Sequence, residues 1–163
     1  MIPARIIYQL NCAYQAVSRS IDQALRSSHD ISQPQQGILF ILTGQKDMPI
    51  SRLAEVMRMS KSSLTGLVDR LEQNGMVQRQ SSAMDGRSTL VALTPKGIAI
   101  VAKTGPITRA INQALLEPFT EEEQQVISRF LKHAEDNATF IVAREAAKGA
   151  SDDVERIAHR SDA

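Results

Sequence analysis

The sequence predicts a mainly α fold with a small β wing, on three observations. Two short helical patterns, residues 51–57 and 61–74, are separated by a tight turn at 58–60. Directly downstream, 76–80 and 88–93 are strand-like runs joined by a polar stretch at 81–86. Longer helical patterns lie on either side of this middle section. Helix, turn, helix and hairpin in that order make a winged helix-turn-helix over about residues 48–97.

From 5 to 25, apolar residues recur at Ile6, Ile7, Leu10, Val17, Ile21, Ala24 and Leu25, the spacing of one helix face. Residues 27–30, Ser-Ser-His-Asp, read as a loop. Ser32 with Gln35 three places on has the spacing of a capping box, and Pro34 suits a first helical turn, so a second helix opens there and stops near Gly44. Residues 37–42 are apolar almost all round, which calls for burial. Residues 45–49 connect, and Ile50 is expected to add a very short strand at the hairpin edge.

Ser51 and Ser60 each precede a helix and are expected to cap it, because a serine oxygen can accept from the unpaired N–H groups of a first turn. In the second of these helices Leu64, Leu67, Val68 and Leu71 form a narrow apolar stripe. Ser62, Thr65, Gly66, Asp69, Arg70 and Gln73 fall opposite, a surface of short polar side chains suited to base edges and phosphates in the DNA major groove. An ordinary solvated helix face would look similar; the hairpin that follows shifts the balance. It carries Arg79, Asp85 and Arg87, expected near its tip, where an arginine can enter the minor groove and a carboxylate can fix a neighbouring arginine. The candidate DNA contacts are therefore Lys61, Ser62, Ser63, Thr65, Arg70, Arg79, Asp85 and Arg87.

Thr94 and Pro95 open the next helix as cap and first helical residue. Gly105-Pro106 should kink or break it, because proline lacks the N–H and clashes with the preceding turn; the feature is either a hinge or a fixed shape. Thr120 and Glu123 again have capping-box spacing, and Val126, Ile127, Phe130, Leu131, Ala134, Ala138, Ile141 and Val142 continue as one apolar stripe to about residue 148. Residues 148–163 are a polar tail, a short helix or a loose segment.

At Ser51-Arg52-Leu53-Ala54, Leu71-Glu72-Gln73-Asn74-Gly75-Met76-Val77, Arg79, Asp85-Gly86-Arg87 and Leu93-Thr94-Pro95-Lys96-Gly97 the sequence resembles the MarR family of bacterial regulators. Each piece is common alone; their order and spacing are specific. The resemblance extends less sharply over about residues 5–147, read as a single domain within 1–147 whose helices at about 5–28 and 98–147 form a dimerisation region. It implies a homodimer on a palindromic operator in double-stranded DNA, a repressor released by a small organic effector, aromatic or phenolic. The effector would sit between dimer helices and DNA-binding lobe, with Arg19, His29 and Phe40 as candidate contacts. Gly66 and Gly86 depart from the basic residues many relatives carry, so those two contacts are not carried over. Some relatives sense peroxide through a cysteine of the first helix held by tyrosines. Cys12, with Tyr8 and Tyr14 nearby, gives the alternative of a thiol-responsive repressor, against the reading of a small core residue.

Charge is uneven along the chain. Residues 51–103 hold eight Lys/Arg against four Asp/Glu, and residues 104–163 seven against eleven, although the whole chain carries only +1. The positive share lies on the proposed DNA-binding element, which predicts salt-sensitive binding. No membrane-length apolar run and no signal-type start appear, and the single cysteine excludes an internal disulfide, so a cytoplasmic protein is expected. His29, His133 and His159 lack metal-ligand spacing, and neither a phosphate loop nor a nucleophile elbow is present. No metal, cofactor or enzymatic activity is expected. A winged-helix interaction or architectural module, without sequence preference, remains the third hypothesis.

Overall fold

The computed structural model describes the backbone of residues 5–81 and 89–161, and side chains among these up to residue 148. The elements run α1 (Ile6–His29), α2 (Gln33–Leu42), β1 (Met48–Pro49), α3 (Ile50–Met57), α4 (Lys61–Gln73), β2 (Val77–Ser81), β3 (Thr89–Leu93), α5 (Pro95–Leu116) and α6 (Glu121–Ser161). They divide into two compact units, Met1–Arg109 and Ala110–Ala163.

In the first unit the apolar stripes converge. Ile38 and Leu39 of α2, Leu53 of α3, Leu64, Val68 and Leu71 of α4 and Val91 of β3 are completely buried in one cluster. Each leucine removed from water there contributes roughly 1.5–3 kcal/mol. The strands form an antiparallel sheet ordered β1-β3-β2, with Val77 opposite Leu93 and Arg79 opposite Val91. Pro49 pairs with Leu90 on the edge strand, where a missing N–H is tolerated.

Four helices differ from the sequence reading. α1 continues through Ser27-Ser28-His29 and ends only at Asp30, whose left-handed φ of 55° turns the chain; the Ser27 hydroxyl donates back to the Ala24 carbonyl, so a loop-type residue is absorbed into the helix. α3 starts at Ile50, after Pro49, with no side-chain cap. Ile50 is therefore helical and Ser51 lies inside the first turn rather than capping it. α5 passes through Gly105-Pro106 as one helix, and α6 keeps helical backbone to Ser161.

The expected caps at α2 and α6 are present. Ser32 Oγ accepts from the Gln35 N–H while the Gln35 side chain accepts from the Ser32 N–H at 2.8 Å. In the second unit Thr120 and Glu123 do the same, and the Gln124 amide donates to the Leu116 and Phe119 carbonyls, closing the turn between the end of α5 and α6.

Candidate nucleic-acid interface

α4 presents the surface its periodicity requires. Leu64, Val68 and Leu71 point into the core, while Lys61, Ser62, Ser63, Gly66, Arg70 and Gln73 are exposed and Thr65 and Asp69 half-buried. Ser60 caps the helix: its Oγ accepts from the Ser63 N–H at 3.2 Å and donates to Ser63 Oγ at 2.8 Å, with Ser62 Oγ 3.1 Å away. The helix therefore begins in a cluster of hydroxyls at the positive end of its dipole, a surface that favours anions. Thr65 donates its proton to the Lys61 carbonyl at 2.7 Å, which holds its hydroxyl rotor and leaves the oxygen able to accept. Beside it, a Cβ added at Gly66 would meet nothing within 4 Å, so this side of α4 is open to close approach.

Arg79 differs from its expected place. It sits in the middle of β2, opposite Val91, and shares the strand face of buried Val77 rather than the hairpin tip. That face lies on α4. Arg79 Nη2 meets Asp69 Oδ1 at 2.6 Å, Nη1 meets Glu72 Oε2 at 2.5 Å, and the Arg79 N–H donates to Glu72 Oε1 at 3.0 Å. Burial alone would push the guanidinium down, but the hydrogen bonds and charges of Asp69 and Glu72 hold it above its ordinary value. Helical periodicity alone puts Asp69 on the exposed side of α4 and offers Glu72 no partner. The period-two alternation of Val77, Gln78 and Arg79 was the available signal that Arg79 turns inward. Asp85 and Arg87 lie outside the described residues.

The hairpin is also tied to the start of α5. Gly75, at φ 67°, turns the chain out of α4. Its carbonyl accepts from the Thr94 hydroxyl at 2.7 Å, and the Met76 carbonyl accepts from the Thr94 N–H at 3.1 Å. Thr94 Oγ1 in turn caps α5 by accepting from the Gly97 N–H at 3.2 Å. One threonine thus sets the relation of α4, β2, β3 and α5.

Residues 31–89, from α2 into the hairpin, fit the family model described as MarR family. Over 114 residues the chain is 37% identical to the uncharacterized HTH-type transcriptional regulator YfiV of Bacillus subtilis, covering 64% of this chain and 70% of that protein. The chain belongs to the MarR family. A second relative, the HTH-type transcriptional regulator MhqR of Bacillus subtilis, is 25% identical over 82% of this chain and 92% of its own length. The crystal structure of a probable transcriptional regulator from Pseudomonas aeruginosa superposes with a TM-score of 0.73 at 26% identity, covering 82% of this chain and 98% of that one. The mainly helical fold with its three-stranded wing sheet is thus the MarR fold, and the exposed face of α4 is the face of its second helix-turn-helix helix.

Among the described residues of this MarR-family chain's first unit, two separate open clefts are lined by candidate ligand residues. Phe40 borders one of about 500 Å³, between α2 and the Val101–Arg109 stretch of α5. Arg19 borders another of about 820 Å³, with Asp22, Arg26, Gln33 and Arg70. His29 is half-buried in the last turn of α1. The structure does not bring the three together. Asp22 organises the second cleft: the Arg26 side chain and the Gln33 N–H, at 2.6 and 2.8 Å, hold its carboxyl below the ordinary aspartate value against an opposing effect of burial. Cys12 is a free, exposed thiol on α1, with Tyr8 and Tyr14 also exposed, so the core-residue reading does not describe it in the single chain. Among the described residues no group of His, Cys, Asp or Glu is arranged to hold a metal, and no helix is long and apolar enough to cross a membrane.

Proposed function

We propose that the chain is a sequence-specific DNA-binding repressor acting as a homodimer on a palindromic operator, released by a small organic effector, aromatic or phenolic. The observation that carries this is the open, hydroxyl-rich face of α4, capped by Ser60 and set beside the hairpin. Lys61, Ser62, Ser63, Thr65 and Arg70 contact the major groove, and Arg87 enters the adjacent minor groove with Asp85 fixing the arginine's geometry. A fold neighbour of TM-score 0.74, Staphylococcus aureus MepR at 22% identity, is a complex with DNA, which supports this use of the fold.

The exposed apolar surface supports the dimer. Ile6, Ile7 and Tyr8 of α1 in the first unit, and separately Phe130, Leu131, Phe140 and Val142 of α6 in the second, are exposed in a single chain, and a two-fold partner would cover apolar surface of this kind. The effector has room in either cleft, and Streptomyces coelicolor PcaV, similar in fold at TM-score 0.70, is a complex with its natural ligand. An effector that binds a lobe spacing unfit for DNA lowers DNA affinity by linkage.

Selection of duplexes from a random pool tests the proposal. An inverted repeat should be enriched, and its complex should dissociate on titration with aromatic acids or phenols. Recovery of duplexes without a shared motif would refute sequence recognition. The exposed Cys12 supports a second reading, in which peroxide oxidises the thiol and releases DNA, and Cys12→Ser abolishes the response.

A further inference from the structure

Asp69 and Glu72 stand on the same ridge of α4 as Ser62 and Thr65, spaced by three or four residues. Their side chains keep 47% and 38% of their surface exposed, so two carboxylates look toward the groove that α4 is read as entering. Duplex phosphates repel such a pair. The arginine between them is more buried, at 24%, and its two terminal nitrogens are each committed to one carboxylate. Its backbone N–H is held by Glu72 as well.

We propose that Arg79 is an internal counter-ion of the DNA-reading helix: it neutralises Asp69 and Glu72 so that α4 can approach the phosphates, and it does not itself bind a phosphate. The inference rests on α4 being the DNA-facing helix. Arg79 is then a positioning residue whose loss does more harm than the loss of one contact, because it leaves two uncompensated negative charges on the reading surface. A lysine would keep the charge but lacks the planar fork that spans both carboxylates.

The test uses the full chain and a duplex that the unaltered chain selects from a random pool. Arg79→Ala should weaken binding by about tenfold or more. Adding Asp69→Asn and Glu72→Gln to that variant should restore binding to within about threefold of the starting chain, since the repulsion has gone with its source. A phosphate contact predicts the opposite: no rescue, and a salt dependence whose log–log slope is shallower by about 0.9 for Arg79→Ala. A purely structural role also predicts no rescue, because the triple variant lacks the same ion pairs; thermal unfolding of both variants would then show the same loss. Unaltered binding by Arg79→Ala, or a triple variant as weak as the single one, overturns the proposal. Enrichment of no duplex by the starting chain overturns the reading of α4 itself, a result distinct from either.

Discussion

Gly97 packs so closely on Met76 that a Cβ at residue 97 would lie 2.1 Å from the Met76 carbonyl oxygen. The first turn of α5 is pressed against the base of β2, and the same Met76 oxygen accepts the Thr94 N–H. Gly97→Ala must therefore move α5 off the hairpin or break that hydrogen bond. Destabilisation of about 1–3 kcal/mol is expected, read as a lower midpoint in urea unfolding. An unchanged midpoint would mean that this junction relaxes freely.

Ser32 is nearly buried and closes both halves of the α2 capping box. Ser32→Ala removes the acceptor of the Gln35 N–H and should cost about 1 kcal/mol, within the usual cap range. Thr120→Ala removes the corresponding exposed cap in the second unit. Equal losses at the two sites would contradict the view that burial leaves the α2 donors with less access to water.

Asp22 gives a dependence on pH. Its folded-state value lies below the 3.8 of the free side chain, so the carboxylate form stabilises the fold. That contribution is complete above the unfolded value and disappears as pH falls through the folded one. Asp22→Asn removes the titration. The stability gap between parent and variant should stay level above about pH 5 and shrink progressively as pH falls below that, measured by urea unfolding at each pH. A constant gap would show that Asp22 is not the titrating group.

For DNA contact, Arg87→Ala should weaken operator binding by about 1–3 kcal/mol while the dimer stays folded. Unchanged affinity at several salt concentrations would remove Arg87 from the interface. Thr65→Ala should change base preference more than overall affinity, and identical sites selected by both chains would count against a base-reading role for Thr65.

Elements governed by local chemistry were legible in the sequence. Ser32 with Gln35, Ser60, Thr94 with Pro95 and Thr120 with Glu123 announce helix starts through side-chain hydrogen bonds a few residues away. The Leu64, Val68 and Leu71 stripe announces the buried face of α4. What was not legible depended on partners distant in sequence or on backbone geometry. Ser51 has the chemistry of a cap, but the edge strand at Met48–Pro49 delivers the chain into the helix two residues sooner, with Pro49 in the cap position. Arg79 looks like a DNA-seeking cation until β2 is laid on α4 and two carboxylates reach it. Arg19 and Phe40 are each suited to a ligand, yet different helices carry them to different clefts.

The central claim is that two chains together read one DNA sequence. Its most direct test is light scattering of the complex, combined with competition between a selected inverted repeat and a scrambled duplex at physiological salt. The expected result is two chains per duplex and a preference for the selected site of about a thousandfold or more. A single chain per duplex, or equal affinity for both duplexes, would contradict it.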